Sequence, residues 1–287
     1  MKKRTVNIVK ASGRTVPFSK LKFSQSLQRA GAEKKLAMSI AEDVSRNIYE
    51  GMSTREVYKI GFDRLRRQAG HIAARYSLKR AIMQLGPSGF PFEKFIGEIM
   101  KAMGYTVQVG VTVKGKCVNH EIDIVAEKDN NHFMIECKYH NLPGTICSVK
   151  IPLYIQARFL DVHSTWVQLP GHAKKFHQGW VVTNTRFTGD AIEYGTCAGL
   201  YLLGWDYPKK GSLRELIDTY GLHPVTCLTT LTKHEKYELL QNNVVLCKEI
   251  CGNVNELSRI GVKSSRFASI QEEGRKLCAN QGGNGTH

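Results

Sequence analysis

The stretch from residue 120 to residue 138, HEIDIVAEKDNNHFMIECK, constrains the fold of this chain more than any other. Two runs of alternating apolar and polar residues flank the tetrapeptide KDNN, a pattern typical of a β-hairpin. With the turn centred between Asp129 and Asn130, one face is apolar throughout. Its facing pairs are Ile122 with Cys137, Ile124 with Ile135, and Ala126 with Phe133. A slip of one residue would expose this face, so the register is well specified.

The polar face of the same hairpin brings two carboxylates together. The register places Asp123 opposite Glu136 and Glu121 opposite Lys138. Carboxylates facing each other at about 4.5–5.5 Å between Cβ atoms repel. A divalent cation removes that conflict, and Mg²⁺ binds through one or two carboxylates plus water and phosphate oxygens. The ammonium of Lys138 can orient an attacking water, assist its deprotonation beside the metal, or stabilise the charge that develops on phosphorus. These residues suit metal-assisted phosphodiester hydrolysis; the alternative is a solvated hairpin face without chemistry.

Composition restricts the class of protein. The chain has 287 residues, 42% of them apolar and 23% charged, which is ordinary for a globular protein of one to three domains. No apolar run approaches the roughly 18 residues of a membrane span, and the basic start Met1–Arg4 lacks a following apolar signal core. Eight cysteines show no framework spacing, which indicates reduced thiols. We therefore expect a cytoplasmic protein without membrane contact.

The net charge of +16 is concentrated near the N terminus. Up to Ser88 there are 19 Lys and Arg against 6 Asp and Glu, and from Gly89 to Asp218 there are 14 against 13. Such a basic segment attracts polyanions, either nucleic acid or a polyphosphate nucleotide.

Residues 1–88 predict a small α+β unit with a helical bundle. Two short strands, Thr5–Lys10 and Arg14–Phe18, flank the turn formed by residues 11–13. Ser53 or Thr54 is placed to cap the third helix. Helical periodicity follows the strands in four segments: Leu21–Ala30, Ala37–Tyr49, Thr54–Gln68 and His71–Leu85.

The run VKASGRTVPFSKLKF resembles the pattern of the ATP-cone domain, and Ala74-Arg75-Tyr76 resembles its terminal helix. The residues on matching positions are Lys10, Gly13, Phe18, Lys22 and Thr54. Two departures occur: Ala11-Ser12 replaces the family's Arg-Asp, and Ser19 replaces an aspartate. The resemblance implies a regulatory domain that binds ATP or dATP through Lys10, Gly13, Lys22 and Thr54.

Residues 89–220 predict a second domain, after a Gly- and Pro-containing linker at residues 85–89. Helices and strands are expected in the order Phe90–Met103, Tyr105–Val113, the hairpin, Pro152–Val162, Gly179–Thr183, Thr188–Cys197, Gly199–Trp205 and Ser212–Tyr220. This order predicts a mixed sheet flanked by helices, α/β in class and α+β over the whole chain.

The order and its motifs are similar to the PD-(D/E)xK nuclease superfamily, closest to Mrr-like restriction endonucleases and archaeal Holliday-junction resolvases. The matching segments are Gly89–Glu93, Glu121-Ile122-Asp123, Glu136-Cys137-Lys138 and Thr183–Thr188 followed by Ala191. Ile122 replaces the superfamily's proline, and Gln156 lies near a glutamine of the family. The resemblance implies that Asp123, Glu136 and the Cys137 carbonyl bind Mg²⁺, or Mn²⁺ in its place. Lys138 would activate the attacking water, and Glu93 would assist as a metal ligand or through a water.

Residues 221–287 predict a helical C-terminal region, with helices at Thr226–Leu240 and Val244–Cys251 and a disordered tail at Gln281–His287. The run LSRIGVK at residues 257–263 resembles half of a helix-hairpin-helix motif, with Lys263 in place of its second glycine. Cys247, Cys251 and Cys278 are interpreted as buried thiols rather than a metal site, since a fourth ligand is missing.

The sequence thus favours a Mg²⁺-dependent DNA endonuclease that acts in restriction or defence. We expect it to form a homo-oligomer and to be regulated by ATP or dATP. Two alternatives stay open. One is a structure-specific repair nuclease or junction resolvase with the same chemistry. The other is a non-catalytic regulator in which the nuclease fold only binds DNA.

Overall fold

The computed structural model describes residues 6–10, 12–142 and 144–279. Thr5 and Ala11 of the predicted N-terminal hairpin, the basic start and the predicted disordered tail lie outside these residues. The chain forms two compact units. One consists of the chain up to Ala81 together with His223–Ala279, and the other of Ile82–Leu222. Within the described residues, no helix combines the length and apolarity needed to cross a bilayer.

The first unit begins with a three-stranded sheet in the order β2-β1-β3. Strand β1 (Asn7–Val9) pairs antiparallel with β2 (Thr15–Pro17) and parallel with β3 (Met52–Ser53). The helices of this part are α1 (Lys20–Arg29), α2 (Lys34–Asn47), α3 (Thr54–Gln68), α4 (Gly70–Tyr76) and α5 (Leu78–Ile82). The fully buried side chains of Leu27, Val44 and Leu65 form the centre of their core.

Capping explains why α3 spans the predicted residues. The Ser53 hydroxyl accepts a hydrogen bond from the Glu56 amide, and the Glu56 carboxylate accepts one from the Ser53 amide. This reciprocal pair satisfies two amides that the first turn leaves without helical partners. The prediction of one continuous helix over His71–Leu85 is wrong, because the structure has two helices there, α4 and α5. The helix breaks at Ser77, whose hydroxyl donates to the Ala74 carbonyl and competes with the helical hydrogen bonds.

The second unit contains a five-stranded mixed sheet in the order β10-β8-β6-β5-β4. Its elements are α6 (Phe90–Ala102), β4 (Thr106–Lys114), β5 (Asn119–Lys128), β6 (Asn131–Lys138), β7 (Ile146–Cys147), α7 (Lys150–Trp166), β8 (Phe176–Thr183), β9 (Arg186–Phe187), α8 (Gly189–Cys197), β10 (Tyr201–Leu203) and α9 (Leu213–Tyr220). The short strands β7 and β9 pair separately from the main sheet. Helix α7 is longer than predicted at both ends. The mixed sheet with helices confirms the predicted fold class.

The hairpin of β5 and β6 has the predicted register over most of its length. Pairs run from Lys128 with Asn131 to Ile124 with Ile135. Both turn residues, Asp129 and Asn130, have positive φ angles, 48° and 60°, as a type I′ turn requires. Beyond Ile124 the ladder ends: β5 continues beside β4, and β6 continues beside β8. The two strands therefore separate where Asp123 and Glu136 were expected to face each other.

The C-terminal elements α10 (Lys233–Gln241), α11 (Lys248–Cys251), α12 (Asn255–Arg259) and α13 (Phe267–Cys278) complete the first unit. The Thr226 hydroxyl donates to the Ala81 carbonyl, and the Arg75 guanidinium donates to the carbonyls of Leu277 and Ala279. The predicted helix Thr226–Leu240 is wrong in its first turns, because the chain there makes only a short 3-10 turn.

Candidate active site

The separation of β5 from β6 creates a gap that the Asp123 side chain enters. The Asp123 Oδ2 atom accepts a hydrogen bond of 2.7 Å from the Cys137 amide, which the hairpin ladder leaves without a partner from β5. Across the sheet, the neighbouring residue of β4 is Gly110, whose φ of +67° interrupts the regular strand. Asp123 is thus fixed beside the backbone of the Glu136-Cys137-Lys138 strand.

Glu136 is almost completely buried, with 1% of its surface exposed. Its Oε2 atom lies 3.7 Å from the Lys138 Nζ atom, and its Oε1 atom accepts a hydrogen bond from the Arg158 guanidinium. Two cations therefore flank a buried carboxylate that also experiences the charge of Asp123. A buried carboxylate without cationic partners would be strongly destabilising.

The pKa values of the acidic residues reflect their burial and the charges of their neighbours. Burial and the charge of Asp123 raise the pKa of Glu136 to about 7, against the opposing effects of Arg158 and Lys138. Burial also raises the pKa of Asp123, although the hydrogen bond from the Cys137 amide and the charge of Lys138 oppose this. Acids with perturbed pKa values in one cluster are typical of functional sites.

Glu93 reaches the same cluster from the first turn of α6. Burial, and then the charges of Asp123 and Glu121, raise the pKa of Glu93 to about 7, while Lys138 opposes the shift. Its carboxylate lies beside Gly89, where a Cβ atom would be 2.9 Å from the Glu93 Oε1 atom. The structure therefore brings Glu93, Asp123, Glu136 and Lys138 together, as the sequence predicted.

Sequence reasoning missed Arg158, on α7. Besides Glu136, its guanidinium contacts the Glu121 carbonyl, and its Nε atom donates to the His120 Nδ1 atom at 3.5 Å. His120 in turn donates from Nε2 to the Asp161 Oδ2 atom at 2.7 Å. The hydrogen bond from His120 holds the pKa of Asp161 below its usual range. This chain of contacts orients the arginine toward Glu136, and no local pattern around residue 158 indicates it.

The segment after Lys138 is fixed by residues of the β8–β9 junction. The Thr183 hydroxyl donates to the Lys138 carbonyl at 2.8 Å. The fully buried Asn184 side chain accepts from the His140 amide at 2.9 Å and donates to the His140 carbonyl at 2.7 Å. These contacts give a physical role to the Thr183–Thr188 segment, whose last residue caps α8 through a hydrogen bond from the Ala191 amide.

The donor set fits a hard divalent cation. The charge of Asp123 raises the pKa values of both Glu93 and Glu136, and Mg²⁺ favours oxygen ligands of this kind. Asp123 and Glu136 would hold the cation, with Glu93 completing the set. The Cys137 amide is already bonded to Asp123. Gln156 lies on α7 with a buried amide oxygen that has no hydrogen-bond partner among the described residues.

Comparison with known proteins places this geometry in a family. Family models match residues 6–84 as an ATP cone domain, residues 86–204 as a restriction endonuclease of the Mrr catalytic type, and residues 223–278 as an AF1548-like C-terminal domain. An uncharacterized protein of Archaeoglobus fulgidus is 35% identical over 183 residues, which are 63% of this chain and 99% of that protein. The chain belongs to the Mrr-like restriction-endonuclease family.

A solved structure is similar in fold to a large part of this chain. The crystal structure of AF1548, a protein of unknown function, is 32% identical and superposes with a TM-score of 0.55. The match covers 67% of this chain and 98% of that one. The family models, and not the likeness to AF1548, give the Mrr-like chain a restriction-endonuclease domain behind an N-terminal ATP cone.

The predicted nucleotide residues of the ATP cone occupy two places. Lys10 and Gly13 lie in the β1–β2 turn, where the Gly13 amide donates to the Lys10 carbonyl and Gly13 has a φ of +77°. Because Val9 pairs with Ser53, Thr54 lies at the same end of the sheet. Lys22 lies in the first turn of α1, which follows β2 from the opposite end of the hairpin. The structure therefore groups three of the four residues by strand register.

Proposed function

We propose that this protein is a metal-dependent endonuclease that hydrolyses phosphodiester bonds of DNA. The observation that carries the proposal is the cluster of Asp123, Glu136 and Lys138 at the point where β5 and β6 separate, within a restriction-endonuclease domain. A binding module has no reason to crowd buried carboxylates beside a lysine, because that arrangement costs stability without a cation.

Each residue of the cluster has a chemical role in the proposal. A divalent cation, when bound, supplies Lewis acidity toward the scissile phosphate. Asp123 and Glu136 hold it, and the Cys137 amide keeps the Asp123 carboxylate in place. The ammonium of Lys138 orients the attacking water and stabilises the negative charge that develops on the phosphate oxygens. Arg158 lowers the pKa of Glu136, against the effect of burial, and orients its carboxylate through a hydrogen bond.

The first test is cleavage of supercoiled plasmid DNA in Mg²⁺ by the full chain and by Glu136→Gln and Lys138→Ala. We expect each variant to lose about 10²-fold or more in rate while keeping its fold and its affinity for DNA. Matched controls are Glu193→Gln and Lys174→Ala, two exposed residues of the same unit. Cleavage by Glu136→Gln at the wild-type rate would contradict the proposal.

We further propose restriction or defence as the role. The rate on duplex, methylated, branched and single-stranded DNA distinguishes this from the repair alternative. Preference for a duplex of defined sequence or modification supports restriction, while preference for branched DNA supports a junction resolvase. Tight DNA binding without cleavage of any substrate would favour the non-catalytic regulator.

The ATP cone supports nucleotide control of the enzyme. We expect ATP or dATP to bind to the end of the sheet that carries Lys10, Gly13 and Thr54, and to change the cleavage rate or the size of the expected homo-oligomer. Calorimetry with each nucleotide should show binding to the full chain that Lys10→Ala weakens at least tenfold. Lys35→Ala, an exposed lysine of α2, is the control. Cleavage rates and light-scattering masses unchanged at millimolar ATP and dATP would contradict this regulation.

A further inference from the structure

Three histidines meet at the opposite end of the β6 strand from the carboxylates. His132 is the second residue of β6 and pairs in register with His177 of β8, and His172 lies in the segment that precedes β8. One potential ligand atom from each of the three rings lies within 4.8 Å of the others. The ring centroids of His132 and His172 are 4.4 Å apart, and those of His132 and His177 are 5.4 Å apart.

The Nδ1 atoms of these rings are buried and have no hydrogen-bond partner. This holds for His132, His172 and His177 alike, among the residues that the structure describes. Leaving one buried polar nitrogen unsatisfied costs about 1–3 kcal/mol. Three rings of one cluster with such an atom each indicate a shared partner. A metal cation is such a partner, because it accepts the lone pairs of ring nitrogens.

The hydrogen-bond partners of the Nε2 atoms of His177 and His132 determine which nitrogen of each ring carries the proton. The His177 Nε2 atom lies 3.3 Å from the His172 carbonyl, to which only an N–H can donate. The His132 Nε2 atom lies 3.0 Å from the Glu127 carboxylate, closer than the 3.4 Å to the Lys175 ammonium. Both Nε2 atoms therefore carry the proton, and the Nδ1 lone pairs are free. Carboxylate and carbonyl partners of this kind are typical of the histidines that bind metals.

We propose that His132, His172 and His177 form a binding site for Zn²⁺ or a similar borderline divalent metal. Three imidazoles and one open position match the coordination that zinc adopts in proteins. Tetrahedral bonds of about 2.0–2.1 Å place nitrogens roughly 3.3 Å apart, so the potential ligand atoms, now within 4.8 Å of one another, must approach more closely when the metal binds. A cavity of about 280 Å³, lined by Trp166 and Val125 besides two of the histidines, gives access from solvent.

The site is separate from the carboxylate cluster. His132 precedes Glu136 by four residues of one strand, which corresponds to about 13 Å. Bound zinc would tie the segment before β8, with its exposed Lys174, to the sheet. The proposal concerns the stability and shape of this end of the domain and does not depend on nuclease activity.

The test is zinc titration of the metal-stripped full chain against a chromophoric chelator. We expect one tight equivalent in the wild type and in Glu136→Gln, and at least a tenfold loss of affinity in His172→Ala, with unchanged circular dichroism. His172→Cys should restore binding and give a thiolate-to-metal absorption band with Co²⁺. Glu127→Gln, which removes a carboxylate beside His132, should weaken binding about 10–100-fold.

The control is His163→Ala. The ring centroids of His163 and His177 are 5.5 Å apart, but His163 does not belong to the three-histidine set. Its replacement should therefore leave the tightly bound zinc ion in place. Equal zinc affinity in wild type and His172→Ala would overturn the proposal. Loss of the tight equivalent in Glu136→Gln, with retention in His172→Ala, would also overturn it by assigning the metal to the carboxylates.

Discussion

At the scale of single residues, Glu136 has the most restricted environment of the site. Its carboxylate is buried against Asp123, and the contacts with Lys138 and Arg158 compensate only in part. A proton or a cation can relieve the remaining repulsion. Protons and metal ions therefore compete for the same oxygens, so metal binding should tighten as the pH rises through about 7.

The raised pKa of Glu136 predicts how the stability of the metal-free protein changes with pH. Between pH 4.5, the ordinary value, and about 7, the folded state binds more protons than the unfolded state, so stability falls as pH rises. The decline attributable to Glu136 is at most about 3 kcal/mol. Urea denaturation at pH 5 and pH 8 should show this fall in the free energy of unfolding, and the fall should be smaller in Glu136→Gln. A decline of equal size in both proteins would contradict this assignment.

Arg158 should control the ionisation of Glu136. Its replacement by alanine removes a cation in direct contact with the carboxylate, so the pKa of Glu136 should rise further. The acidic limb of the pH–rate profile for cleavage should move upward by about 1 unit or more. Arg158→Lys, which keeps the charge, should move it less. An acidic limb in Arg158→Ala that superposes on the wild type would contradict this role.

The residues that sequence reasoning found and missed differ in how local their signals are. Asp123, Glu136 and Lys138 follow from one hairpin, whose alternation and turn specify the register. Arg158 joins them only because α7 packs across the sheet, and nothing within its own segment indicates that. The three-histidine cluster likewise depends on the parallel pairing of β6 with β8, between strands far apart in sequence.

At the scale of elements, the turn of the central hairpin determines the placement of the carboxylates. Asn130 has a φ of 60°, in the left-handed region that asparagine and glycine tolerate. Asn130→Ala should destabilise the protein by about 1–2 kcal/mol, while Asn130→Gly should be close to neutral. Urea denaturation measures both. Equal stabilities of the two variants would argue against a conformational role for this residue.

The β8–β9 junction should fix the segment after Lys138 through Asn184. Asn184→Ala leaves the His140 amide and carbonyl without this partner, which should cost about 1–3 kcal/mol. Asn184→Asp keeps the acceptor and loses the donor, so its effect should show which bond matters more. A change below about 0.5 kcal/mol for Asn184→Ala in urea denaturation would contradict this function of the junction.

The helix bounds are predicted correctly where the capping residues and the apolar periodicity indicate the same helix end, and wrongly where they indicate different ends. Helix α3 has the predicted bounds because the Ser53–Glu56 capping box and the apolar stripe indicate the same start. The break at Ser77 was missed because the periodicity continues through it. The early end of the β5–β6 ladder was missed as well, since it depends on β4 and β8 as competing partners.

At the scale of the whole molecule, two distant parts of the chain form one compact unit. Removal of residues 223–287 should therefore expose buried side chains of α4 and leave Arg75 without its carbonyl partners. We expect amides of residues 6–81 to lose protection in hydrogen exchange, and those of 82–222 to keep it. A truncation after Ala279 is the control and should change neither. Full protection of residues 6–81 in the longer deletion would contradict the dependence of this part on the C-terminal helices.

The proposed function depends most on a divalent cation bound between Asp123 and Glu136. Crystals soaked in Mn²⁺ test it directly by anomalous scattering. We expect a peak within about 2.5 Å of carboxylate oxygens of both residues. The peak should disappear in Glu136→Gln and persist in the exposed control Glu193→Gln. An anomalous map with no peak at these carboxylates, in crystals whose other sites have taken up manganese, would contradict a cation site between them.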